Sequence, residues 1–479
     1  MGYNVLFIIA DDLNDWLGCY DGHPNTKTPN IDAFAENAVR FTCAYASTPL
    51  CNPARTALLT GKAPWNTGIY NNQIWFRDVP DLSKTVTLPQ SFKNQGYFTA
   101  SAGKVFHRDC DVDDPPSWSK YCGHWGGGGK PHPDNMLKHG IHHKLYSRYF
   151  REYLDFYPSE TSVLETGDWH NAKWVANMVR NRKDQFFIAY GACKPHLPWY
   201  VPQEYFDMHP LDSIKLPPIK KSRYGAYELK QPEHPDKDND NRRSPFKVLR
   251  AHNKLHEAIQ GYLAAVSYTD DCFGQIINML DTDREKREKT IVIVTSDHGY
   301  QLGEQKTWAK YNQWQRANRI PLLIRVPGLN PGVCHEPVSS LDIYPTLMDL
   351  CGLTAPHELD GNNLKSLLYN VYQDQNRIVH MSSTDGSSYS ISRDKRYYYV
   401  NVKDGSDKLY DMYEDENQWR NVANRDENVS IVERFKKEIP DFVEPILPFK
   451  LDQLKLDHNL KKERESLIQK MKRNRKIGI

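Results

Sequence analysis

Asn4-Val5-Leu6-Phe7-Ile8-Ile9-Ala10-Asp11-Asp12 is an apolar, partly β-branched run that stops abruptly on two carboxylates. Apolar residues at consecutive positions, without polar alternation, describe a strand buried on both faces, as in the interior of a parallel sheet. A second run of the same design, Thr290-Ile291-Val292-Ile293-Val294-Thr295-Ser296, stops on Asp297 and His298. Gln185 to Ala192 and Pro321 to Val326 read as further strands. Between them, Asn30 to Ala38, Asp168 to Lys183, His252 to Leu280 and Ser339 to Leu350 carry apolar residues at three- and four-residue spacing, which predicts helices. The alternation predicts an α/β fold with a large mixed, mainly parallel sheet sandwiched by helices. Ligands in such folds sit at the carboxyl ends of the strands, where Asp11, Asp12, Asp297 and His298 are expected to meet.

After about residue 365 the pattern changes. Arg377 to Ser382, Ser388 to Ser392, Arg396 to Val402 and Lys408 to Met412 are short runs close enough for antiparallel hairpins, and Asp404-Gly405 is a hairpin turn. Two units are therefore expected: residues 1–365 as the larger domain, and 366–479 as a smaller α+β subdomain with an antiparallel sheet and a basic helical tail. Lys461, Lys462, Arg464, Lys470, Lys472, Arg473, Arg475 and Lys476 crowd that tail, which reads as a solvated helix with a frayed end. Residues 108–147, with the Gly126 to Gly129 tract, and 208–250 are too long for plain connections and are expected to wall a pocket.

The 479 residues, 39% of them apolar, suffice for a large core. With 62 Lys and Arg against 60 Asp and Glu, no global field draws the chain to nucleic acid, so anion recognition must be local. No apolar stretch approaches the ~20 residues of a membrane span. Nine cysteines without CxxC pairs support neither a zinc ribbon nor a disulfide framework. Those in apolar surroundings, such as Cys43 and Cys351, read as small core residues. Met1-Gly2 leads directly into the first strand, so no signal peptide is expected in this sequence. The compartment stays open: periplasmic or secreted if a leader has been removed, otherwise cytoplasmic.

Carboxylates at strand ends suit a hard cation such as Ca²⁺ or Mg²⁺. An Asp after a strand is, taken singly, more often a turn residue or helix cap. Between the two acidic pairs lies Cys51-Asn52-Pro53-Ala54-Arg55-Thr56-Ala57-Leu58-Leu59-Thr60-Gly61, with Pro53 suited to a first helical turn and Gly61 to a helix end. Cys51 is thus expected at a helix amino terminus, where backbone N–H groups and the dipole favour an anion and lower a thiol's pKa. Arg55, one turn on, can offer a guanidinium to a tetrahedral oxyanion. By itself the run is more commonly an ordinary helix start with a buried cysteine.

Cys51-Asn52-Pro53-Ala54-Arg55 with Thr60-Gly61 resembles the signature of the formylglycine-dependent sulfatases of the alkaline phosphatase superfamily, and the likeness extends over nearly the whole chain through Asp11, Asp12, Asp297, His298 and Leu409-Tyr410-Asp411-Met412 to Asn421. Gly103-Lys104-Val105-Phe106-His107, Lys194-Pro195-His196 and Trp308-Ala309-Lys310-Tyr311 resemble the iduronate sulfatase group within it. The resemblance implies that a maturing enzyme oxidises Cys51 to formylglycine. It implies a metal held by Asp11, Asp12, the residue at 51, Asp297 and His298. It also implies that Arg55, Lys104, His107, His196 and Lys310 surround the sulfate. Ca²⁺ is the expected ion, with Mg²⁺ open because imidazole is the preferred ligand of neither. Gln305 stands where Gly-Glu-His is often seen in the family, and no role is expected of it.

By the family's mechanism, the hydrated aldehyde attacks sulfur, His196 protonates the departing sugar oxygen because it could titrate near neutral pH, Lys310 assists, and His107 deprotonates the second hydroxyl. A thiol has no second hydroxyl, so modification is obligatory. Trp75 and Arg77, in Ile74-Trp75-Phe76-Arg77, are expected to contact a sulfated sugar. Two other readings compete: a formylglycine-dependent phosphonate monoester or phosphodiester hydrolase, and a non-catalytic binder of sulfated glycans with an intact thiol.

Overall fold

Strand β1 (Asn4–Ala10) lies deep in an eight-stranded sheet whose other members are β2 (Val39–Phe41), β3 (Phe98–Gly103), β4 (Lys120–Cys122), β5 (Phe186–Gly191), β6 (Thr290–Ser296), β7 (Leu322–Arg325) and β8 (Gly332–Cys334). The structure is a computed structural model that describes residues 2–107, 113–122, 154–219 and 245–440. The strand order is β8-β2-β7-β6-β1-β5-β3-β4. β1 runs parallel to both neighbours, with Val5 opposite Phe187 and Ala10 opposite Ser296. Only β7 is reversed, pairing antiparallel with β6 and β2. The sheet is therefore mixed and mainly parallel, as expected.

Alternate residues of β1 point into different cores because side chains of a strand alternate between faces. Leu6, Ile8 and Ala10 share one core with residues of α1 (Pro29–Ala35), while Val5, Phe7 and Ile9 share the other with residues of α2 (Cys51–Thr60) and α3 (Leu88–Asn94). The first layer is completed by α4 (Gly167–Asn181) and α5 (Leu255–Asp281), and the second by α6 (Ile343–Leu350). Strand β3 escapes a sequence reading because Phe98-Thr99-Ala100-Ser101-Ala102-Gly103 is built from small residues. β2, β4 and β8 are three residues each, too short for any periodicity.

Four further strands, β9 (Val379–Ser382), β10 (Tyr389–Arg393), β11 (Tyr397–Val402) and β12 (Asp407–Asp411), form an antiparallel sheet in sequence order. Gly405, at φ 82°, supplies the left-handed residue of the expected turn between β11 and β12. One face of this sheet, with Met381, Ile391, Tyr398 and Tyr410, packs on Tyr45 and Trp314 of the larger part. The other face, with Tyr399 and Leu409, is covered by Val432 and Phe435 of α7 (Val429–Glu438). The Gly126 to Gly129 tract, much of both long interruptions and the basic tail lie outside the described residues, and with them the pocket walls expected there.

Candidate active site

Because β1 and β6 are adjacent and parallel, Asp11, Asp12, Asp297 and His298 leave the sheet at one end, and all four are buried. Asp297 knits the two turns together: its Oδ1 accepts the backbone N–H groups of Asp12, at 3.2 Å, and His298, at 2.9 Å. Asp12 is held at φ 65°, a left-handed conformation that L residues adopt rarely and that collects at functional sites.

Helix α2 begins at Cys51 and ends at Gly61, whose φ of 70° makes the expected left-handed cap. The Cys51 thiol is buried, with Sγ 3.3 Å from His298 Nε2 and 3.0 Å from Lys310 Nζ. Asn52, which the sequence did not single out, locks this helix start. Its N–H donates to Asn72 Oδ1 at 2.9 Å and its Nδ2 to the carbonyls of Asn71, at 2.9 Å, and Ile74, at 2.7 Å. A lone Asn before Pro carries no signal that would have found it.

Arg55 departs from its expected place on the anion. Its Nε donates to Asp297 Oδ2 at 2.8 Å, its Nη1 to the carbonyls of Val105, at 3.0 Å, and Lys104, and its Nη2 to the carbonyl of Ala10 at 3.1 Å, with Asp11 Oδ1 at 3.8 Å. The fully buried guanidinium thus ties together the ends of β1, β3 and β6, and a planar group with its donors committed to fixed carbonyls has little left for a ligand. Lys104 follows Gly103, and its N–H donates to the Gly191 carbonyl at 2.7 Å. A Cβ on Gly191 would lie 2.0 Å from the Lys104 carbonyl, so glycine there lets β3 and β5 end in contact.

Lys104 Nζ meets Asp11 Oδ2, and Lys310 Nζ lies 2.6 Å from Asp12 Oδ1. His196 Nε2 is 3.9 Å from Asp12 Oδ2, and its Nδ1 is 2.6 Å from the Leu197 carbonyl. A carbonyl only accepts, so Nδ1 carries the proton and Nε2 faces the carboxylate. Burial, reinforced by Lys310, holds His196 well below the ordinary histidine range, so it does not titrate near neutrality as the sequence suggested. Burial and Lys104 do the same to His107, whose buried Nδ1 has no hydrogen-bond partner among the described residues.

Burial raises Asp12 to about 7, with Lys310 working against it. Asp11 is equally buried, but Lys104, His196, Arg55 and Lys310 outweigh that and hold it well below the carboxylate range. Burial pushes His298 down, and Asp297 together with the charge and hydrogen bond of Cys51 outweighs this, raising it to about 9. Burial and Asp11 push the Cys51 thiol up, and Lys104, Lys310 and His298 outweigh them.

One donor atom each from Asp11, Asp12, Cys51 and His298 lies within 4.8 Å of the others. Two features fit a cation there. Asp11 Oδ1 is a buried carboxylate oxygen without a hydrogen bond among the described residues. His298 Nδ1, 2.9 Å from the Gly299 carbonyl, is fixed as the donor, which aims Nε2 at the cluster as ligating histidines are commonly oriented. Asp297 borders the cluster, its Oδ1 3.7 Å from His298 Nε2.

The Ile74–Arg77 segment does not match its expected role. Trp75 is buried in a core, 4.6 Å from the Phe76 ring and 5.6 Å from Phe106. Arg77 spends its N–H groups on Asp114, at 3.0 and 2.8 Å, on the carbonyls of Ser83, at 2.9 Å, and Thr85, at 2.7 Å, and on Gln90 Oε1, at 2.9 Å. Its donors are satisfied internally, so it serves as a strut.

A family profile described as Sulfatase matches residues 3–353, and one described as N-sulphoglucosamine sulphohydrolase, C-terminal matches residues 303–444. A protein named Sulfatase from Formosa agariphila is 33% identical over 454 residues, covering 91% of this chain and 86% of its own. Iduronate 2-sulfatase of Homo sapiens is 31% identical over 392 residues, covering 74% of this chain and 70% of its own. Among solved structures, the phosphonate monoester hydrolase of Silicibacter pomeroyi superposes with a TM-score of 0.69 at 22% identity, over 91% of this chain and 94% of that one, a likeness of fold.

Proposed function

The chain belongs to the sulfatase family and is a sulfuric ester hydrolase, and from that premise we propose that it removes O-sulfate from a sulfated sugar or polysaccharide fragment, using a formylglycine made from Cys51 and a divalent cation. The observation that carries this reading is the buried Cys51 thiol at a helix start, flanked by His298 and Lys310 at 3.3 and 3.0 Å. Asp11, Asp12, Asp297, His298 and the modified residue 51 would hold the cation, Ca²⁺ in the first instance and Mg²⁺ as the alternative, because carboxylates suit both. When bound, it would neutralise sulfate charge and activate an oxygen nucleophile. The hydrated aldehyde at 51, produced by a maturing enzyme, would supply that nucleophile.

The chain's own residues do the rest. Arg55 fixes Asp297 and the strand ends, so that the reacting groups need no reorganisation. Lys104 and Lys310 supply positive charge where sulfate oxygens would lie. Lys310 is the better placed donor for the leaving oxygen, being an ammonium beside the nucleophile, while His196, held neutral, hydrogen-bonds and orients. His107, also held neutral, takes the proton of the second hydroxyl. The net reaction adds water across the ester and yields the alcohol and sulfate. We also propose a division near residue 365, supported by the separate sheet that starts at Val379.

The name of the iduronate 2-sulfatase relative supports an acidic sugar. The test is to mature the protein with a Cys-modifying enzyme and screen defined sulfated oligosaccharides beside matched aryl sulfate and phosphodiester substrates. Sulfate release from at least one glycan is expected. Cleavage of small sulfates alone would remove the sugar assignment, and a strong preference for the phosphodiester would favour the phosphonate and phosphodiester class.

A further inference from the structure

Lys310 sits in a segment whose backbone is unusual. Two short strands, Gln301–Leu302 and Trp308–Ala309, pair antiparallel, and around them Gln305, Lys306, Ala309 and Tyr311 have φ of 55°, 57°, 67° and 71°. Non-glycine residues adopt the left-handed region at a cost, and they stay there only when their surroundings over-determine them. Locally, the Tyr311 N–H donates to the Pro49 carbonyl at 3.3 Å and Asn312 Nδ2 to the Ala309 carbonyl at 3.0 Å, and further support comes from the carboxyl-terminal part of the chain. Gln305 Nε2 donates to the carbonyls of Asn417 and Gln418, the latter at 3.1 Å. Gln418 Oε1 in turn accepts the N–H of Gln315 at 2.7 Å, and the Tyr398 hydroxyl donates to the Gln313 carbonyl at 2.8 Å. Both glutamines are buried, Gln305 at 7% and Gln418 at 5% exposure. The segment is thus held on each side of Lys310 by one turn that lies more than a hundred residues away in sequence.

We propose that Gln305 and Gln418 are positioning residues that act through Lys310: the turn at 417–418 clamps the segment so that the ammonium stays beside residue 51 and Asp12. Position 305 thereby gains a role that the sequence did not suggest. The inference rests on the reading of Lys310 given under the proposed function. It also assigns the antiparallel sheet a part in turnover, as the fixed body against which the segment is braced.

The experiment compares matured wild type with Gln305→Glu, which keeps the shape and replaces the amide donor by a carboxylate facing two carbonyls, Gln418→Leu, which removes the acceptor, and Gln418→Glu, which keeps it. Displacement of a reacting group by about 1 Å costs up to ~100-fold in rate, so Gln305→Glu and Gln418→Leu should lower kcat by about 10- to 100-fold with a much smaller change in KM. Gln418→Glu should retain activity. In a Lys310→Ala background the same changes should have almost no further effect, the non-additivity expected of residues acting through one group. If Gln418→Leu does not fold, Tyr398→Phe, which removes the hydroxyl bonded to Gln313 and, at 3.5 Å, to Asn318, tests the bracing of the segment by the antiparallel sheet and should lower kcat in the same way. Unchanged kcat in an active enzyme, or an equal loss with and without Lys310, would overturn the clamp. A matured wild type that releases no sulfate would instead reject the reading of the site, and the clamp with it.

Discussion

The cluster around Cys51 and the segment Ile74–Arg77 are neighbours, linked through Asn52, and both are rich in the residue types of active sites. They are built on opposite terms. In the segment, Arg77 has its donors matched by Asp114, Gln90 and two carbonyls, and Trp75 is packed against Phe76 and Phe106. In the cluster, two buried carboxylates, a thiol and an imidazole converge within 4.8 Å, one carboxylate oxygen lacks a hydrogen bond among the described residues, and Asp12 is raised to about 7. Burial without full pairing is unfavourable, and several such groups converging on one point, with a shifted carboxyl among them, mark a place for a ligand. What separates the two regions is leftover bonding capacity and not the density of aromatic and cationic side chains.

The sharpest way to break this comparison is Cys51→Ala. Removing a covalent nucleophile costs on the order of a millionfold in other hydrolases, so sulfate release by the matured enzyme should fall to background while the thermal midpoint scarcely moves. Retained turnover would place the chemistry elsewhere. Dialysis against a chelator comes next. If the carboxylates hold a catalytic cation, activity should drop by about a thousandfold, the scale of several kcal/mol of lost charge stabilisation, and return on adding Ca²⁺ or Mg²⁺. Calorimetric titration of the chelated protein should show a single site that Asp12→Asn weakens.

Lys310→Ala should lower kcat by about 100- to 1000-fold, the range for deleting one preorganised donor to a developing charge. An effect confined to KM would make Lys310 a binding group only. Arg77→Ala marks the other side of the comparison and should have the smallest effect on the chemistry. Removing one partner of its buried pair with Asp114, 2.8 Å apart, should cost about 3–5 kcal/mol of stability, read by denaturant unfolding. The kcat of the folded fraction should be unchanged, and a large rise in KM would restore Arg77 as a substrate contact.

Much of this was legible in the sequence, for identifiable reasons. Continuous apolar runs such as Asn4 to Ala10 and Thr290 to Ser296 have no stable alternative to a strand buried on both faces, so their ends and the carboxylates on them followed at once. The run from Cys51 to Gly61 carried its own start and stop signals, and the helix obeys them. Period and capping are local properties, and a local reading recovers them. What needed the fold was the use to which each charged side chain is put. Arg55 lies one turn from Cys51 and still turns to Asp297 and the carbonyls of Ala10, Lys104 and Val105. Arg77 is satisfied by Asp114, and Gln305 reaches carbonyls more than a hundred residues away. The sequence by itself determined the strands, the helix at Cys51 and the list of groups able to do chemistry. Only the tertiary structure decided which of those groups are consumed as struts and which keep capacity for a ligand, because hydrogen-bond satisfaction depends on partners that chain order does not reveal.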